Sequence, residues 1–140
     1  MSKAIKLTFG ALIAIFLFIL GQFFIPVIRE FFRGSEIFLI PIIIFFLLGV
    51  LLIFLTLKEK TKSVLGKFLL LTGFSAAGFF LFIFLHNIFY GLEIMVADIF
   101  ILNNLVNILG IIFFITAIFL CPLGFIVGLS GSLILFKKKV

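Results

Sequence analysis

Few side chains in this sequence could do chemistry, and they gather in its second half: His86 and Asn87, then Glu93, Asp98, Asn103, Asn104 and Asn107, then Cys121. His86 is the only histidine, and imidazole is the side chain whose charge changes most readily near neutral pH. With Glu93, Asp98 or an asparagine such as Asn104 beside it, His86 could titrate protons or hold a ligand. The competing reading makes it a helix-end histidine bonded to loop carbonyls. That reading is preferred, because a single His with no second His or Cys at ligand spacing makes a poor metal site. On a helix, Thr72 and Ser75 fall near the His86 face, while Gly73 and Ala76 fall nearer Asn87. A weakly polar seam could therefore run inward from His86 and Asn87.

Cys121 has no second cysteine with which to form a disulfide, a CxxC pair or a thiolate metal site. A nucleophilic thiolate needs a base and an electropositive setting. A small apolar side chain beside a kink at Pro122 explains the residue without either. Glu93 and Asp98 are no better as a carboxylate pair, since five positions on a helix place them about 140° apart. No nucleophile, base and orienting group assemble from these residues. The sequence therefore reads as a non-enzyme, with no catalytic residue, no metal ligand and no cofactor expected.

The elements that must position these residues are apolar helices. Of 140 residues 66% are hydrophobic and 11% charged, and the mean hydropathy is +1.58. This composition excludes an ordinary soluble domain and indicates an integral membrane protein. At this length there is room for one membrane domain and no soluble module beside it. The net charge of +6 would suggest nucleic acid in a soluble protein, but here the bases fall at helix ends. The Lys-rich stretch KEKTKSVLGK has no interleaved aromatic residue, so it reads as a solvated loop at phosphate level. A lipid bilayer is the expected partner, and nucleic acid is not.

Four spans are expected, at about 7–27, 37–57, 68–89 and 111–136, forming an all-α polytopic bundle of antiparallel helices. Pro26, Gly34 and Ser35 mark the first turn, and Pro41 falls in the first turns of the second span, where a missing N–H costs little. The placement of Lys and Arg gives the orientation. One side collects Lys3, Lys6, Lys58, Lys60, Lys62, Lys67 and Lys137 to Lys139, against Arg29 and Arg33 on the other. Both termini are therefore expected on the cytoplasmic side. The stretch 90–110 is apolar enough to imitate a fifth span, but a crossing there would move the Lys-rich tail outside. With its acidic and Asn side chains and no base, it is expected as an interfacial or re-entrant segment between the third and fourth spans.

The strongest packing signal is CPLGFIVGLSG. As a helix it sets Ala117, Cys121, Gly124, Gly128 and Gly131 within a stripe less than about a quarter-turn wide. Small side chains on one stripe let a second backbone approach closely. Gly73 and Ala77 on the third span, and Gly10 with Ala14 on the first, are candidates to meet it. Spacing leaves open whether the stripe packs within one chain or between copies.

The runs HNIFYGLE and CPLGFIVGLSGS resemble a group of small prokaryotic membrane proteins in which a His-Asn pair precedes the last loop and a Cys-Pro, Gly-rich helix follows. The resemblance covers about the C-terminal half. It implies four spans and a prokaryotic cytoplasmic membrane, and it implies no activity. A small multidrug exporter would need a membrane-embedded Glu in its first span, which this sequence lacks, and a quinone-linked thiol oxidoreductase would need paired cysteines. The leading expectation is an assembly or interaction subunit that packs through small-residue helix faces, against its own copies or another membrane protein. The alternative is an oligomeric channel or transporter for ions or small solutes, with its pathway near His86 and Asn87.

Overall fold

The computed structural model describes residues 2–60 and 63–137. Lys62, Lys138 and Lys139, counted among the bases above, lie outside the described residues. The chain is all-α. Helix α1 (Lys3–Phe24) begins at Ser2, whose Oγ accepts the N–H of Ile5 at 3.3 Å, a cap for one of the free N–H groups of a first turn. It stops at Ile25, which is extended, because the residue before a proline is driven out of helical geometry. Pro26 then opens α2 (Pro26–Phe32), where its missing N–H is harmless. Gly34, at φ 73°, turns the chain, and only glycine takes that left-handed conformation without strain.

A 3-10 turn (Glu36–Leu39), capped by Ser35, leads into α3 (Ile40–Lys58), with Pro41 in its first turn. Ser63 caps α4 (Val64–Met95) by accepting from Gly66. A turn follows, then α5 (Phe100–Ile115), a wide π turn (Thr116–Leu120) and α6 (Cys121–Lys137). In the π turn the N–H of Cys121 reaches back to Thr116 O. The cause is the next residue: Pro122 has no N–H, and its ring crowds the carbonyl four residues earlier. The helix widens there instead of ending.

Among the described residues four helical rods are long and apolar enough to cross a membrane: Lys3–Phe24, Glu36–Lys58, Val64–Met95 and Phe100–Lys137. Residues 90–110 do not form a separate element among the described residues. The first of them belong to α4, which runs unbroken to Met95, and α5 starts at Phe100. Of the polar side chains that suggested a surface piece, Glu93 and Asn107 are bonded to each other between the two helices, while Asp98 and Asn104 are exposed. Gly91 does not interrupt α4, which carries the polypeptide past Tyr90 without a break.

The core lies where the rods converge. The Phe16 ring is 4.6 Å from Phe125 and 6.0 Å from Phe45, and Phe45 is 5.1 Å from Phe125, within the 4.5–7 Å that favours aromatic pairs. Ile5, Leu12, Leu52 and Leu69 are fully enclosed. At the lysine-rich end, Phe9 meets Phe136 edge-on at 5.4 Å, and the Ser2 N–H bonds both carboxylate oxygens of Glu59 at 3.1 and 3.2 Å.

Two small-residue contacts bring backbones together. A Cβ placed on Gly49 of α3 would lie 2.8 Å from Ala77 N and 2.9 Å from Gly73 O. The second contact joins α6 to α4: a Cβ on Gly128 would lie 2.6 Å from Thr72 Oγ1, and one on Gly124 would lie 2.5 Å from Ser75 Oγ. Gly131 faces the Phe68 ring, and Gly78 faces Cys121 Sγ. The Cys121 to Gly131 stripe therefore packs within the chain. Gly73 and Ala77 do not meet it, since they belong to the α4 face turned toward α3. Gly10 meets nothing within 4 Å.

Candidate functional site

The face of α4 that holds the stripe continues beyond it toward α5. From Thr72 and Ser75 it passes Phe82, stacked on Phe113 at 6.0 Å, and reaches His86. His86 Nδ1 lies 2.9 Å from the carbonyl oxygen of Gly110, and the ring rests 5.1 Å from Phe114. Gly110 is buried beneath the imidazole. Two turns further, Glu93 returns to the same face of α4. Its Oε1 accepts from Asn107 Nδ2 at 2.6 Å, a short bond of the kind a charged acceptor makes.

His86, Glu93 and Asn107 are thus brought onto one seam between α4 and α5, each half-buried. Asn87 is not part of it. Its side chain is exposed and donates to Ile83 O of its own helix at 2.8 Å. Asn103 Nδ2 donates to Ala97 O at 3.5 Å across the turn, while Asn104 and Asp98 are exposed. Glu93 and Asp98 are not paired.

Cys121 and His86 are also kept apart. Cys121 faces Gly78, eight positions before His86 on the same helix, a rise of about 12 Å. His86 therefore does not adjoin the thiol. Among the described residues no three His, Cys, Asp or Glu side chains converge in a way that could hold a metal ion. The cavity at the bundle centre is about 40 Å³ and is walled by Phe16, Phe45, Phe79 and Phe125, with Ser75 and Cys121 at its side. That is space for about one water molecule and not for an organic substrate.

Sequence reasoning passed over Gln22. It is fully buried in α1, and neither its Oε1 nor its Nε2 has a hydrogen-bond partner among the described residues. Ser132 on α6 is in the same condition. The available signal was an amide standing alone in the first apolar run.

The end of the α4–α5 hairpin has a different character. Gly49 is level with Gly73 and Ala77. Counting outward from that level, α4 continues about seven residues past Glu36, or about 10 Å beyond the rod that holds α3. The overhang presents Met95, Phe100 and Ile101 at 82, 79 and 81% exposure. Its charged residues are Glu93 and Asp98, with no base.

No protein-family model matches the chain, and comparison with curated proteins and with solved structures yields no match.

Proposed function

We propose that this chain is a small integral membrane protein whose four antiparallel rods cross the bilayer, with the lysine-rich end cytoplasmic, and that it acts as an assembly or interaction subunit. The apolar rods and the charge placement support the membrane part. The prokaryotic cytoplasmic membrane rests on the resemblance of HNIFYGLE and CPLGFIVGLSGS alone.

The observation that carries the interaction role is the overhanging hairpin end. The Cys121 to Gly131 stripe and the Gly49–Gly73 contact are spent on packing within the chain, whereas Gly10 on α1 has nothing within 4 Å and stays open to a partner. Met95, Phe100 and Ile101 extend beyond the neighbouring rods, exposed and clustered, and an apolar patch that stands clear of its own fold marks a place for another molecule.

The channel reading has less support. Its expected pathway is divided, since His86 is bonded to the α5 backbone and Asn87 is turned back on its own helix. The test is native mass spectrometry of the full chain gently extracted from its own membrane. A defined complex that dissociates in a Met95→Ser, Phe100→Ser, Ile101→Ser variant of unchanged helix content is the expected result. A monomer without any companion protein, whatever the detergent, would overturn the interaction role.

A further inference from the structure

The basic residues of this chain divide by type as well as by place. Those at the α1 start, the α3 end, the α4 start and the α6 end are all lysines, and the two arginines, Arg29 and Arg33, stand together at the opposite end. They lie one turn apart on α2 and its C-cap, which puts both on one side of the helix. Edge-on contacts of Phe32 with Phe18 and of Phe38 with Phe23 fix this corner to α1, at 6.1 and 5.5 Å. The turn at Gly34 then brings Ser35 and Phe38 opposite the two arginines.

The result is an open groove of about 270 Å³ lined by Arg29, Phe32, Arg33, Gly34, Ser35 and Phe38. No carboxylate lines it. Glu30 holds Arg33 from outside the groove through Nη1 alone, at 3.2 Å, which leaves the remaining guanidinium donors free. Arg29 has no ion-pair partner among the described residues. Ser35 Oγ already accepts from Ile37 N–H, so its own proton is available to donate. Two cations one turn apart repel each other, and a shared anion would reverse the sign of that interaction. Planar guanidinium forks match phosphate oxygens two at a time, which ammonium groups cannot do.

We propose that this groove binds a phosphate group, supplied by the headgroup of an anionic phospholipid. The surroundings favour the lipid as source. The groove opens at the ends of two apolar rods, and on the side of α2 turned away from the arginines Val27 and Phe31 are each 79% exposed, an apolar surface to meet acyl chains. The proposal rests on the membrane part of the function above and is independent of the interaction role.

The test uses the full chain in mild detergent, titrated with phosphatidylglycerol and followed by native mass spectrometry, with helix content checked for each variant. Arg29→Gln with Arg33→Gln should weaken lipid retention at least about tenfold. Arg29→Lys with Arg33→Lys, which keeps the charge but not the fork, should fall between. Lys58→Gln with Lys67→Gln, at the other end, should leave retention at this site unchanged. Competition by millimolar inorganic phosphate would keep the phosphate site and assign it to a soluble ligand, whereas its failure to compete assigns the site to lipid. Retention unchanged in the arginine variant, or lowered equally by the lysine variant, would overturn the proposal. Loss of a protein complex with lipid retention intact would count against the interaction role alone.

Discussion

The imidazole Nδ1 of His86 and the carbonyl oxygen of Gly110 lie 2.9 Å apart, joining α4 to α5 one helix turn from the buried Val106. A carbonyl oxygen only accepts, so the proton of this bond belongs to Nδ1. Nitrogen NMR of the histidine-labelled protein should show the Nδ1-protonated tautomer. His86→Phe keeps a ring against Phe114 and removes the donor. It should cost about 1 kcal/mol of stability in reversible unfolding from micelles. A histidine spectrum of the opposite tautomer would refute the bond as described.

The glycines separate into two sets with opposite expected signs. Gly49→Ala would drive a Cβ to 2.8 Å from Ala77 N, and Gly128→Ala would drive one to 2.7 Å from Thr72 N. Both collisions are with backbone, which cannot step aside, so each should lose roughly 1–3 kcal/mol. Gly91→Ala has nothing within 4 Å and relieves the entropy cost of a glycine in a helix, a gain of about 0.5–1 kcal/mol. Melting temperatures of the three variants in one detergent decide it. Equal effects would mean that the close approaches of α3 and α6 to α4 are absent.

Gln22 should be better replaced. A buried polar group without a partner costs about 1–3 kcal/mol, and Gln22→Met fills nearly the same volume without the amide. The variant should therefore be more stable than the parent by an amount in that range, measured as above. Destabilisation instead would show that the Gln22 amide is bonded in the working protein.

These residues also show where the sequence was legible. Lysines at rod ends and uninterrupted apolar runs announce four helices, because a charge inside such a helix is expensive. The small-residue stripe could be read from spacing, since the helical period fixes which side chains share a face. Its partner could not, because Thr72 and Ser75 carry no pattern that distinguishes them from any other small polar pair. The stretch 90–110 misled for a definite reason. Polarity reports that a side chain needs a hydrogen-bond partner and not whether that partner is water or another helix, and Glu93 found Asn107. Gln22 was one amide in a long apolar run, and the groove at Arg29 and Arg33 depends on a turn whose closure only three dimensions reveal.

The link between Ser2 and Glu59 predicts a modest acid sensitivity. Hydrogen bonds from the Ser2 side chain and then its backbone N–H hold the Glu59 carboxyl below its ordinary value of 4.5. A depressed folded-state pKa contributes stability that is present above the unfolded value and is lost as pH falls through the folded one. Unfolding curves should therefore weaken below about pH 4.5, and Glu59→Gln should flatten that slope while lowering stability slightly at neutral pH. The effect is small because the group is fully solvent-exposed.

With the rods crossing a bilayer as proposed, their unequal lengths tie the protein to membrane thickness. Lys3–Phe24 has 22 residues and Glu36–Lys58 has 23, whereas Val64–Met95 has 32 and Phe100–Lys137 has 38. The shorter pair spans about 33 Å, close to an ordinary hydrocarbon core, and the longer pair is about 15–24 Å longer than the shorter. A bilayer adapts to such mismatch by local thickening, or the helices tilt. In a thick membrane the Met95, Phe100 and Ile101 end would be submerged in lipid, and in a thin one it would stand in water. Bilayer composition would then act as a control on how strongly that end seeks a partner.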